Sequence, residues 1–244
     1  MRIKTGVPGL DKLIEGGLVK NNLYLVTGPP GSGRTTFAIQ FLIAGAQQNE
    51  KGLYLALTET PTNVIKQMSR YKFNLVNYVK EKKIFFMDYT SELFEGAKKK
   101  TGSMEIEIFD LEAEKAAPKG LFEKLEPIIN KTGIERLVID STFALTFLSK
   151  SRENESKQIA KYLNTLKQME VTTILLSEQI EQDIFKFEHY LSSGIINLHH
   201  FVNGEQNELT HAIQLLKIRS TKHDSLLHPI KFTDGGLKIA GEDQ

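Results

Sequence analysis

The stretch Gly28-Pro29-Pro30-Gly31-Ser32-Gly33-Arg34-Thr35-Thr36 constrains this chain more than any other. It separates an apolar run, Leu23–Thr27, from a predicted helix, Thr35–Gln47, in which Phe37, Ala38, Phe41 and Leu42 recur at helical spacing. A glycine-rich loop between strand and helix lets the backbone curl until several N–H groups point at phosphate oxygens. The helix start at Gly33–Thr36 adds its positive dipole end. Residues Pro29 to Thr36 are therefore the candidate phosphate cradle, and Thr35 stands where a hydroxyl ligates Mg²⁺. The usual motif places Lys before that hydroxyl residue, and here it is Arg34. Arginine keeps the charge but presents it on a longer, planar fork.

The rest of the chain repeats the strand-helix alternation. Leu53–Leu57, Ile84–Met87, Arg136–Asp140 and Thr172–Ser177 read as strands. Pro61–Tyr71, Leu121–Asn130 and Glu153–Met169 read as helices, with Pro61 suited to a first turn and Pro127 expected to kink or end its helix. Alternation of this kind predicts an α/β fold, a mostly parallel twisted sheet with helices on both faces. The last third predicts an antiparallel extension: strands at Gly194–Val202 and Thr210–Ile218 joined by a turn near Gly204, then a hairpin between Pro229 and Ile239 turning at Asp234-Gly235-Gly236. Residues 89–119, rich in Lys, Glu, Gly and Ser and including Lys98-Lys99-Lys100, are expected to form a flexible excursion. No repeat or linker divides the 244 residues, so one domain over 1–244 is expected.

Asp140 ends an apolar strand downstream of the phosphate loop, where an acid holds Mg²⁺ beside the nucleotide. Glu59 follows another strand. It is either the carboxylate that activates water against a γ-phosphate or an acid at the helix start before Pro61. Lys217 and Arg219 alternate on a late strand and share a face. They are either a solvated edge or a cationic pair aimed at a phosphate, in this chain or the next. His199 and His200 are adjacent on a strand and face opposite ways, so no metal-only site is indicated.

In this order the motifs resemble the KaiC-like ATPases of the RecA/RadA superfamily, P-loop NTPases common in archaea. The resemblance opens at Thr5-Gly6-Val7-Pro8-Gly9-Leu10-Asp11 and Gly16-Gly17-Leu18, before the phosphate loop. Leu57-Thr58-Glu59-Thr60-Pro61 is similar to a family segment with two consecutive glutamates. Val138-Ile139-Asp140-Ser141 is similar to the Mg²⁺-site strand, and Lys217-Ile218-Arg219-Ser220-Thr221-Lys222-His223 to a Lys-x-Arg-Gly-Thr/Ser-x-His segment. The resemblance implies ATP or ADP with Mg²⁺, and a homo-oligomeric ring, usually a hexamer, with nucleotide at subunit interfaces. It gives Lys217 and Arg219 the neighbour's γ-phosphate, places Thr221 and His223 near the neighbour's nucleotide, and makes Glu59 the water-activating acid. Thr58 replaces the first glutamate, Arg34 the loop lysine and Ser220 a glycine, and the first two substitutions imply slow hydrolysis. One such domain is present, so a circadian role is not expected.

Two functions stay open: a slow, ring-forming regulatory ATPase, and a non-hydrolysing nucleotide sensor that signals through a protein partner. A RadA-like DNA-binding protein ranks below both. Lys+Arg (31) balance Asp+Glu (30), and of the loops that hold DNA in RecA-like folds, 147–155 and 178–188, the second is acidic. The chain has no cysteine and no apolar run of membrane-span length, and no signal peptide is visible at its start, so a cytoplasmic protein is expected.

Overall fold

The computed structural model describes residues 1–90, 108–110, 120–147, 152–178, 187–203 and 208–241. A short antiparallel ribbon, β1 (Arg2–Ile3) with β2 (Leu18–Val19), encloses helix α1 (Leu10–Leu13). The main sheet has ten strands. In chain order they are β3 (Leu23–Thr27), β4 (Lys51–Ala56), β5 (Ile84–Asp88), β6 (Ile108–Asp110), β7 (Ile134–Asp140), β8 (Thr172–Leu176), β9 (Gly194–Asn203), β10 (Glu208–Ile218), β11 (Leu227–Thr233) and β12 (Gly236–Ile239). Their spatial order is β12-β11-β10-β9-β3-β8-β7-β4-β5-β6. From β9 to β6 every pairing is parallel, and β10, β11 and β12 add the antiparallel extension.

Central strands of such a sheet are covered on both faces and read as unbroken apolar runs. β3 and β8 are buried at every residue. Alternate side chains feed two cores. Tyr24 and Val26 join one with α2 (Arg34–Gln47), α3 (Pro61–Met68), α4 (Leu75–Lys80) and the N-terminal segment. Leu23 and Leu25 join the other with α5 (Gly120–Thr132), α6 (Thr142–Phe147) and α7 (Arg152–Gln168). The last helix, α8, is Phe187–Leu191.

Three local expectations are refined. Pro127 does not end its helix: α5 runs on to Thr132, because Leu121, Leu125 and Ile129 keep one face packed on the sheet. The hairpin turns through Asp234-Gly235, with Thr233 paired to Gly236. Within the expected excursion, β6 adds a parallel edge strand to β5. The rest of it beyond Thr90, the turn at Gly204 and the central parts of both loops weighed for DNA lie outside the described residues. Among the described residues no helix is long and apolar enough to cross a membrane.

Helix α2 carries the phosphate loop on its N-terminus, and its seat is set by polar clasps. Arg136 on β7 is fully buried. Its guanidinium donates to Glu50 Oε2 at 2.6 Å and to the carbonyls of Phe41 and Lys4, each at 2.7 Å. It also lies 4.7 Å from the centre of the Phe41 ring. Gly45 makes room for it, since a Cβ there would fall 2.5 Å from Arg136 Cδ. Gln40 bridges Gly6 O (3.0 Å) to both backbone groups of Leu237 on β12 (2.8 and 2.9 Å). Removing one member of a buried ion pair strands the other charge, at a cost of about 3–5 kcal/mol. Arg136→Leu should lose about that much stability in urea unfolding, and adding Glu50→Leu should recover part of it. A loss below about 1 kcal/mol would show that the clasp is not a structural determinant.

Candidate nucleotide site

Because β3, β8, β7 and β4 are parallel neighbours, their C-terminal ends open on one edge of the sheet. The loop 28–33 leaves β3 there, Asp140 ends β7, Ser177 follows β8, and Thr58 and Glu59 follow β4. The loop, Asp140 and Glu59, placed together from sequence, are thus brought to one edge.

The loop curls as a phosphate cradle requires. Ser32 N donates to Pro29 O at 3.2 Å, and Gly33 caps α2 in the left-handed conformation (φ 99°). Only glycine suits Gly33: beyond its φ, a Cβ would meet the Phe232 ring at 2.9 Å. Arg34, Thr35 and Thr36 form the first turn of α2, whose leading N–H groups have no intrahelical partner. Ser32 Oγ is buried and has no hydrogen-bond partner among the described residues. A buried hydroxyl without a partner is costly, and a phosphate oxygen seated in the loop satisfies it. The residues present therefore fit the phosphate group.

Arg34 reaches across the end of β8 and donates to Ser177 O at 2.5 Å. Its charge also acts on Asp140. Asp140 accepts from the Tyr54 hydroxyl. Thr58 lies beside Asp140, and Thr35 beside Tyr54. Burial raises the Asp140 carboxyl above the ordinary carboxylate range, against the opposing pull of Tyr54, Arg34 and Thr58. Glu59 is also raised, by burial first and then by the Asp140 charge, while a 2.5 Å bond from Gln67 Nε2 opposes the shift. Burial and the Asp140 charge push the Tyr54 phenol well above its usual value. Thr35 and Asp140 offer oxygen donors of the kind Mg²⁺ takes, so the residues present fit that ion by donor chemistry.

Lys217 and Arg219 are not brought to this edge. Arg219 N bonds Ser193 O and Ser193 N bonds Leu23 O, which sets Arg219 level with the entry end of β3. The phosphate loop leaves from the exit end, where Thr27 pairs with Asn197. The two cations do share a side, with a register shift between Leu215 and Lys217 and with Arg219 just beyond β10. Lys217 Nζ donates to the carbonyls of His189 (2.8 Å), Tyr190 (3.3 Å) and Ser192 (2.7 Å), and Arg219 donates to Tyr190 O at 2.9 Å. They cap the C-terminus of α8, where cations are favoured. Burial, with Arg219 and Lys167 nearby, lowers Lys217 to about 8. Thr221 Oγ1 accepts from Arg2 at 3.0 Å, and His223 Nδ1 lies 3.0 Å from Thr221 O.

Sequence reasoning missed Tyr54, Gln67, Ser177 and Thr142, whose hydroxyl bonds that of Ser177 at 3.0 Å. It also missed the backing of the loop by the antiparallel strands. His211 bonds the Gly31 backbone and meets Phe232 edge-on at 5.0 Å. Alternation along β4 was the available signal for Tyr54, since it shares a face with Ala56, but only the pairing of Ala56 with Asp140 turns that into a site.

A family model described as the KaiC ATPase matches residues 3–244. A UPF0273 protein of Thermotoga maritima is 32% identical over 98% of this chain and 95% of its own length. The circadian clock oscillator protein KaiC of Synechococcus elongatus is 29% identical over 98% of this chain, which spans only 44% of that protein. A crystal structure of a KaiC-like protein from Pyrococcus horikoshii superposes with a TM-score of 0.79 at 26% identity, covering 98% of both chains.

The raised Asp140 pKa has a consequence for stability. Between the ordinary carboxylate pKa and the raised one, the folded chain holds more protons than the unfolded chain. Stability therefore falls as pH rises through that window. Asp140→Asn keeps an acceptor for Tyr54 and removes the charge. Without nucleotide or divalent cation it should melt at a higher temperature than the parent at pH 7, with the difference fading below pH about 4. An Asn variant that melts lower at pH 7 would contradict the direction of the shift.

Proposed function

The chain belongs to the KaiC ATPase family, and from that footing we propose that it binds ATP or ADP with Mg²⁺ as a single domain over 1–244. We propose further that it hydrolyses ATP slowly in a regulatory role and assembles through nucleotide-bearing interfaces between copies of itself. The observation that carries this reading is the convergence of the loop, with its unpartnered Ser32 hydroxyl, on Asp140 and Glu59. In it, the N–H groups from Gly31 to Thr36 cradle the phosphates. Thr35 and Asp140 hold Mg²⁺, which when bound supplies positive charge to the phosphate oxygens. Glu59, half-buried after β4, takes the proton of the attacking water as the water oxygen bonds the γ-phosphorus and the bond to the β-phosphate oxygen breaks.

Three features support slow turnover. Thr58 stands beside Asp140 where relatives of the type described have a second carboxylate. Gln67 holds Glu59. The Arg34 fork is committed to Ser177 O, and charge that holds ground state and transition state alike does not raise the rate. The same three features favour the second reading, a nucleotide sensor without turnover whose output is a protein partner. DNA affinity is expected to be weak, because the chain is nearly neutral. A cytoplasmic setting accompanies the proposal.

Calorimetry and single-turnover assays test this reading together. Thr35→Ala should weaken ATP binding in the presence of Mg²⁺ about tenfold or more. Glu59→Gln should bind as the parent does and hydrolyse at least 100-fold more slowly. Unchanged hydrolysis in Glu59→Gln removes the mechanism, and a parent that binds without turnover selects the sensor.

The position of Lys217 and Arg219, remote from the phosphate loop of the same chain, supports their action on a neighbour's nucleotide. Light scattering with and without ATP–Mg²⁺ should therefore show nucleotide-dependent assembly that Lys217→Ala/Arg219→Ala abolishes. Assembly that survives the double substitution would leave the pair as a cap for α8 alone.

A further inference from the structure

Tyr54 lies on β4 with its side chain in the core, its ring 5.3 Å from that of Phe86 and its relative exposure 0%. A phenylalanine would pack there equally well, so the core does not call for the hydroxyl. Burying a hydroxyl is unfavourable unless it is paired. Its partner is one of the residues assigned above to the cation: it donates to Asp140 Oδ2. An ionised carboxylate only accepts, so the single phenolic proton goes to Asp140. One oxygen of Asp140 is thus held by a buried hydroxyl.

We propose that Tyr54 is a positioning residue of the cation site, holding one oxygen of the Asp140 carboxylate so that the other is presented to one divalent ion. The inference rests on the reading of nucleotide and Mg²⁺ binding given above. Groups that orient metal ligands from behind are worth about 10–100-fold in metal affinity. The Tyr54 hydroxyl does this for Asp140. Its neighbour on the sheet explains the geometry: Tyr54 pairs with Val138 and Ala56 with Asp140, so the small Ala56 leaves the space through which the phenol reaches the carboxylate.

The test is calorimetric titration of ADP into the full chain and its Tyr54→Phe variant, each with MgCl₂ and with EDTA. Tyr54→Phe should bind ADP in EDTA within about twofold of the parent, while the gain in affinity conferred by Mg²⁺ falls about tenfold. In an Asp140→Ala background the further loss on Tyr54→Phe should disappear, because the carboxylate that Tyr54 positions is already gone. An unchanged Mg²⁺ gain, or an equal loss of ADP affinity in EDTA, would overturn the proposal and leave the hydroxyl as a core hydrogen bond. A parent with no Mg²⁺-dependent gain would overturn it together with the reading on which it rests. A second measurement needs no variant. With ¹³C-labelled tyrosine, Mn²⁺ and ADP should broaden one of the seven tyrosine ring signals far more than the rest. Equal broadening of all seven would also overturn the proposal.

Discussion

A fully buried guanidinium organises this molecule. Arg136 enters from the start of β7, passes the space left by Gly45, and ends on Glu50, Phe41 O and Lys4 O. Those acceptors belong to the segment after α2, to α2 itself and to the N-terminal arm, so one side chain fixes three elements relative to the strand that carries Asp140. A hydrophobic contact is non-directional and would tolerate a helix sliding along the sheet. Charge-assisted hydrogen bonds from a planar fork do not. Gln40 adds a second clasp, to Gly6 and Leu237. The position of the phosphate loop relative to Asp140 follows from these two residues.

The chemistry at the sheet edge is one of crowded, partly desolvated carboxylates steadied by hydroxyls. Asp140 and Glu59 each raise the proton affinity of their surroundings, and neither has a direct ion pair among the described residues. Arg34 offsets part of that charge from a distance while bonded to Ser177 O. Such an arrangement is electrostatically unsatisfied by itself, and a bound cation would relieve it. The remote pair, Lys217 and Arg219, donates to carbonyls at the end of α8, although burial and neighbouring cations still disfavour the Lys217 charge.

Much of this was legible in the sequence because local rules were sufficient. Apolar runs of strand length, the glycines at 28, 31 and 33 and the Asp-Gly turn at 234–235 each encode backbone geometry without reference to distant residues. Strand order was not encoded locally, and with it went Tyr54, whose role depends on β4 lying beside β7. The short helices α6 and α8 and the three-residue β6 escaped because they are too brief to show a period. Pro127 does not end α5 for a related reason: its local penalty is real, but the packed face of the helix outweighs it.

The backing of the phosphate loop also has a temporal meaning. Gly33 rests against Phe232, and Gln40 is bonded to Leu237, 197 residues further along the chain. A polypeptide leaves the ribosome from its N-terminus, and its domain closes only when its late strands arrive. The nucleotide-binding loop is thus among the early segments to be synthesised and among the last to be finished, so the nascent protein gains its ligand site only as the final hairpin docks.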